Sequence, residues 1–152
     1  MAATEPIRDR KQLKSLTDYF LIRKQYRNYV LIIFGIYTAL RISDLLMLTW
    51  DDVYDFRSHK FRTRISIKEQ KTGKEKTIAI HRQIIDALKL YYPHRTGNCL
   101  FPSQKKDQPI TRIQAWRIIH EATEQLGLSG HISTHSLRKT WGYHRSEEHT
   151  SE

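Results

Sequence analysis

Thr38-Ala39-Leu40-Arg41-Ile42-Ser43-Asp44-Leu45-Leu46-Met47-Leu48-Thr49-Trp50-Asp51-Asp52-Val53 places an arginine directly behind the most hydrophobic run of the chain, residues 29–36. In that run Tyr29, Val30, Leu31, Ile32, Ile33, Phe34 and Ile36 are apolar on every side of a helix. A helix capped by Asn28 and running through Leu40 is therefore predicted to be the buried centre of the fold. Ser43 is the predicted cap of a third, short helix ending near Leu48, which puts Arg41 at the seam between two helices. A cation in such a place is either paired, with Asp44 as the nearby acid, or set to receive an anionic ligand.

Upstream of this centre, Leu13, Leu16, Tyr19, Phe20 and Ile22 recur at helical spacing from Asp9 onward, with basic residues opposite, and predict an amphipathic surface helix. Downstream, after a turn at Asp51 and Asp52, residues 60–67 alternate with strand period: Phe61, Thr63, Ile65 and Ile67 on one side, Arg62, Arg64 and Ser66 on the other. Residues 77–80 predict a second strand. The polar stretch between them, residues 68–76, holds a single glycine, Gly73, suited to a hairpin turn with positive φ. Such a basic hairpin can lie against DNA through Lys68, Lys74 and Lys76, or simply keep a sheet edge soluble.

A helix over residues 81–91 follows, with Ile84, Ile85, Leu88 and Leu90 as its apolar side and Pro93 as its stop. A turn at Thr96-Gly97-Asn98 leads to the buried-looking Cys99-Leu100-Phe101-Pro102 and an exposed loop with Lys105, Lys106 and Asp107. Thr111 is the predicted cap of a helix to about Leu126, packed through Ile113, Trp116, Ile118, Ile119 and Ala122, with Gly127 at its carboxyl end. The pattern is α+β, mainly α, with one small antiparallel sheet or hairpin.

A chain of 152 residues suits one domain with a sizeable core. The net charge of +10 and pI near 9.8 point to a polyanionic partner. Cys99 is the single cysteine, which leaves no internal disulfide and fits a reducing compartment. The longest apolar run is far short of the roughly 18 residues that span a bilayer. Glu5, Arg8, Asp9 and Arg10 stand where a signal sequence would be apolar. A cytoplasmic protein with no membrane partner is expected.

Near the end of the chain lies Thr134-His135-Ser136-Leu137-Arg138-Lys139-Thr140. With Ser133 or Thr134 as cap, a helix here would present free N–H groups and its dipole to an anion. His135 and Arg138, spaced i, i+3, share one face and can converge on one phosphate, while Leu137 turns inward.

At residues 38–53, at Lys71-Thr72-Gly73-Lys74 and at residues 134–140, the sequence resembles the catalytic domain of the tyrosine recombinases, or phage integrases. The resemblance covers residues 10–144 and includes a linker ending in Phe101-Pro102. It implies Arg41, Lys71, His135 and Arg138 as catalytic residues, with Asp44 supporting Arg41 and Lys139 joining the hairpin lysines on DNA. It also implies site-specific DNA recombination or integration through a 3′-phosphotyrosine, needing no metal, ATP or other cofactor. Lys71 would donate a proton to the leaving 5′ oxygen. The partners implied are double-stranded DNA and, for the full-length family member, a tetramer of copies on it.

Family members carry the nucleophilic tyrosine, and a preceding His or Trp, well beyond the second arginine, whereas this chain runs 14 residues past Arg138. Tyr143 shares a predicted helix with Trp141 and reads as a packing residue, so no tyrosine here is assigned as nucleophile. Residues 145–152 carry one basic and three acidic residues, lack helical period and resemble a translated sequencing adapter. The domain is accordingly expected to lack its final helices, to be monomeric, marginally stable and inactive as it stands, with residues 1–9 loose. A DNA-binding protein without chemistry is the alternative. A metal nuclease using His131 and His135 lacks nearby acids to complete a site.

Overall fold

The computed structural model describes residues 10–105 and 107–128. The expectations for the loose amino terminus, for Lys106, for His131 and Ser133, for the whole of residues 134–140 and for Trp141, Tyr143 and the tail lie outside the described residues. Among the described residues, no helix is long and apolar enough to cross a membrane.

Helix α1 (Arg10–Ile22) buries Leu16 and Phe20, one turn apart, and leaves Ile22 exposed at its last position. Lys24 takes a left-handed φ of 57°, which ends α1 and turns the chain back. Helix α2 (Tyr26–Tyr37) therefore begins ahead of the predicted cap: Asn28 lies inside its first turn, donating to Gln25 Oε1 at 3.2 Å. It also ends early, because Thr38 is extended and its hydroxyl donates to the Phe34 carbonyl at 2.7 Å. Residues 30–36 are all buried, as predicted, because α2 is shared by two apolar clusters. Val30, Leu31, Ile33 and Phe34 join the main core, while Ile32 and Ile36 pack with Leu16, Phe20, Ile119 and Ala122.

Arg41, not Ser43, caps α3 (Ile42–Leu46), its carbonyl accepting from the Asp44 and Leu45 amides. The predicted turn at Asp51 and Asp52 is a one-turn helix, α4 (Trp50–Val53), where Asp52 Oδ2 accepts from the Thr49 amide at 2.8 Å and hydroxyl at 3.0 Å. The strand predicted over residues 60–67 is two strands. Antiparallel β1 (Tyr54–Asp55) pairs with β2 (Lys60–Phe61), and β3 (Arg64–Lys68) pairs with β4 (Glu75–Ala79). The break at Arg62 and Thr63 is a change of partner, with Arg62 bonding back to Val53 and Ile80 bonding to Thr63. Ile65 and Ile67 remain inward as the alternation predicts.

Helix α5 (Arg82–Tyr91) is capped by His81, whose Nδ1 accepts from the Gln83 amide, and lies along α2. Its buried side is Ile84, Ala87, Leu88 and Tyr91, a strict i, i+3, i+4, i+7 set that turns Leu90 to solvent. The Tyr92–His94 3₁₀ turn carries Pro93. The buried Leu100 and Phe101 then run beside the loop before α4, with Leu100 N–H on the Leu48 carbonyl and Trp50 N–H on the Asn98 carbonyl.

Helix α6 (Arg112–Gln125) has the predicted cap, a reciprocal pair in which Thr111 Oγ1 accepts from the Gln114 amide and Gln114 Oε1 accepts from the Thr111 amide. Gly127 adopts φ 64° at its end. Its buried residues are Ala115, Ile119, Ala122 and Thr123; Ile113 and Trp116, predicted to pack, are exposed. Thr111→Ala is expected to lower unfolding free energy by about 1 kcal/mol in urea titration.

Candidate active site

Arg41 reaches its position because α2 stops at Tyr37 and the chain runs extended before turning into α3. Leu40 and Ile42 on either side are buried and fix the backbone, so the side chain of Arg41 emerges half-buried at the α3 amino end. Its Nη1 donates to Glu69 Oε2 at 2.9 Å. The direct Arg41–Asp44 pair weighed from the sequence is not the bond that forms. Asp44, 3% exposed, instead accepts the Gln70 amide on Oδ1 at 3.1 Å.

These two bonds tie α3 to the hairpin between β3 and β4 by adjacent residues. Arg41 and Asp44, three apart, hold Glu69 and Gln70, one apart. The hairpin is itself closed by the Glu69 amide on the Lys74 carbonyl and the Gly73 amide on the Glu69 carbonyl. Gly73 has φ 71° with open space where a Cβ would stand, so the backbone conformation alone requires glycine there. Lys71 sits on this turn, exposed, next to the residue that Asp44 anchors. Asp44 thus anchors the hairpin that carries Lys71.

The hairpin lysines do not share one surface. Lys68 is exposed opposite Glu75, while Lys76 is half-buried opposite Ile67, on the inward face of the ladder. Lys74 is exposed on the turn. His135, Arg138 and Lys139 lie outside the described residues, so the convergence of the two arginines rests on the sequence. Sequence reasoning passed over Glu69. Its signal was an acid inside the basic run Lys68-Glu69-Gln70-Lys71, but its partner lies 28 residues upstream.

The described tyrosines are engaged in packing. Tyr26 stacks on His94, Tyr37 on His81, and Tyr54 and Tyr92 join an aromatic cluster with Phe61. Tyr19 lies under the Arg23 guanidinium, and Tyr29 packs against both cores. Tyr91 is buried, its hydroxyl donates to the Leu100 carbonyl at 2.9 Å, and burial pushes its pKa up to about 12. A phenol so held is a poor nucleophile at neutral pH.

Residues 8–151 match the Phage integrase family. The chain is 41% identical over 145 residues to the probable integrase/recombinase YoeC of Bacillus subtilis (strain 168), covering 95% of this chain and 76% of that protein. The fold is that of the XerA recombinase crystal structure, with a TM-score of 0.72, 21% identity and coverage of 91% of this chain and 50% of that one. It is likewise that of lambda integrase bound to DNA, with a TM-score of 0.71, 16% identity and coverage of 93% and 51%. The chain therefore spans about half the length of these two solved chains. A cation at a helix seam, a lysine-bearing hairpin tied to it, and a family match over nearly the whole sequence agree: the chain belongs to the phage integrase family, the tyrosine recombinases.

Proposed function

We propose that this protein breaks and rejoins duplex DNA at specific sites in the cytoplasm, through a 3′-phosphotyrosyl intermediate, with Arg41, Lys71, His135 and Arg138 as catalytic residues. The observation that carries the reading is the double tie of Glu69 and Gln70 to Arg41 and Asp44, which brings the Lys71 turn beside a half-buried arginine. A phosphodiester carries one negative charge that grows to two as the nucleophile adds, so fixed cations bind the transition state more tightly than the ground state. Arg41 and Arg138 hold the nonbridging oxygens, and His135 donates a hydrogen bond or assists proton transfer. Lys71 protonates the leaving 5′ oxygen. A 5′ hydroxyl from another strand later attacks the phosphotyrosine, so bond energy is retained and neither ATP nor a metal is consumed. The nucleophile is assigned to none of the described tyrosines. Cleavage belongs to a tetramer on DNA, and the isolated 152-residue chain to a monomer.

The test takes the protein expressed from its complete gene and duplexes from the DNA flanking that gene, with phosphorothiolate bridges that trap the covalent stage. A protein–DNA band surviving denaturation, absent with Arg138→Ala, is the expected result. Binding that falls about tenfold or more as salt rises from about 50 to about 200 mM, with no covalent band, would move the reading to a DNA-binding protein without chemistry.

A further inference from the structure

Glu69 is placed where the proposed function has no use for a carboxylate. It is an acid within a basic hairpin, its side chain is 18% exposed, and it bonds at 2.9 Å to Arg41, whose own side chain is 30% exposed. A carboxylate offers the same pair of anionic oxygens to a guanidinium as the nonbridging oxygens of a phosphodiester. The Nη1 edge that Glu69 occupies is therefore not available to DNA until Glu69 leaves it.

We infer that Glu69 is an internal competitor for Arg41, holding the arginine until a backbone phosphate displaces it, and that this exchange frees the turn bearing Lys71. The inference rests on the reading of Arg41 as a phosphate-binding residue. The geometry gives the exchange a pivot. Of the two ties between α3 and the hairpin, phosphate removes the Glu69 one and leaves the Gln70 amide on the buried Asp44. The displaced carboxylate and the arriving phosphate carry like charge, so Glu69 is driven away from Arg41. Lys71, next to the pivot residue, stays near Arg41 while its turn is released on one side. Before DNA arrives, the same pair neutralises Arg41 and lowers its attraction for any passing anion. Glu69 is in this sense a positioning residue, acting on the phosphate only through Arg41.

The experiment measures affinity for a mixed-sequence duplex at one low salt concentration by fluorescence anisotropy, with four proteins: wild type, Glu69→Gln, Arg41→Ala and the double variant. Melting temperatures confirm folding, and Glu69→Ala serves as a second variant at the same position. Glu69→Gln is expected to tighten binding about two- to fivefold, the scale set by a partly exposed charge pair. The gain is expected to vanish in the Arg41→Ala background. Tightening that persists without Arg41 would show a general charge effect and overturn the inference. Affinity lowered by Arg41→Ala but unmoved by either Glu69 substitution would remove the competitor and leave the proposed function standing. Affinity that Arg41→Ala does not change at all would overturn the inference and leave the proposed function to the covalent-band test, since a group that acts mainly on the transition state need not alter ground-state affinity.

Discussion

Arg41→Ala, introduced into the protein expressed from its complete gene, is expected to slow formation of the covalent protein–DNA complex by about 10³-fold, the scale for removing one preorganised donor from a developing oxyanion. Single-turnover cleavage of a trapped duplex at saturating protein measures it directly. The loss would be chemical and not structural. The Arg41–Glu69 pair is partly exposed, so its removal costs about 1 kcal/mol of stability or less. The backbone of residue 41 still caps α3, since its carbonyl and not its side chain accepts the Asp44 and Leu45 amides. Arg41→Lys should recover only part of the rate, because an ammonium supplies a point charge without the planar fork that grips two oxygens. A cleavage rate within threefold of wild type in Arg41→Ala would mean that the transition-state charge is met elsewhere.

How far the sequence could be read depended on how local each determinant was. Helix α6 began where Thr111 said it would, because a cap acts within one turn of the helix it opens. The burial of α2 was legible because a helix apolar on every side admits no exposed face. Its start was not, since a left-handed Lys24, a residue with no preference for that conformation, sets where α1 stops. The split between β2 and β3 was hidden because alternation continues across it while the hydrogen-bond partner changes. Ile113 and Trp116 satisfied helical period, yet which side of α6 is covered depends on α1 and α3, which no periodicity within α6 records. The site shows the same division. Arg41 stood out as a charge behind an apolar run, but Glu69 became visible only when folding closed 28 residues of chain between them.

Phe34→Ala is expected to lower the unfolding free energy by about 3–5 kcal/mol, the cost of removing a fully buried aromatic ring from a close-packed core. Urea titration at matched slopes would measure it, and Ile22→Ala, at a position 76% exposed, should stay within about 0.5 kcal/mol of wild type. Phe34 is fully buried, meets Phe101 edge to face, and accepts on its carbonyl the hydroxyl of Thr38. It therefore joins α2 to the Leu100 and Phe101 segment and fixes the point at which the chain leaves α2 toward Arg41. A loss this large is a substantial share of the roughly 5–15 kcal/mol that holds a domain folded. Its functional consequence should consequently depend on temperature: DNA binding near that of wild type in the cold, where the variant remains folded, and loss of binding along the melting curve. Binding already lost in a fully folded Phe34→Ala protein would instead show that this ring sets the position of Arg41, and that α2 transmits small shifts in the core to the phosphate site.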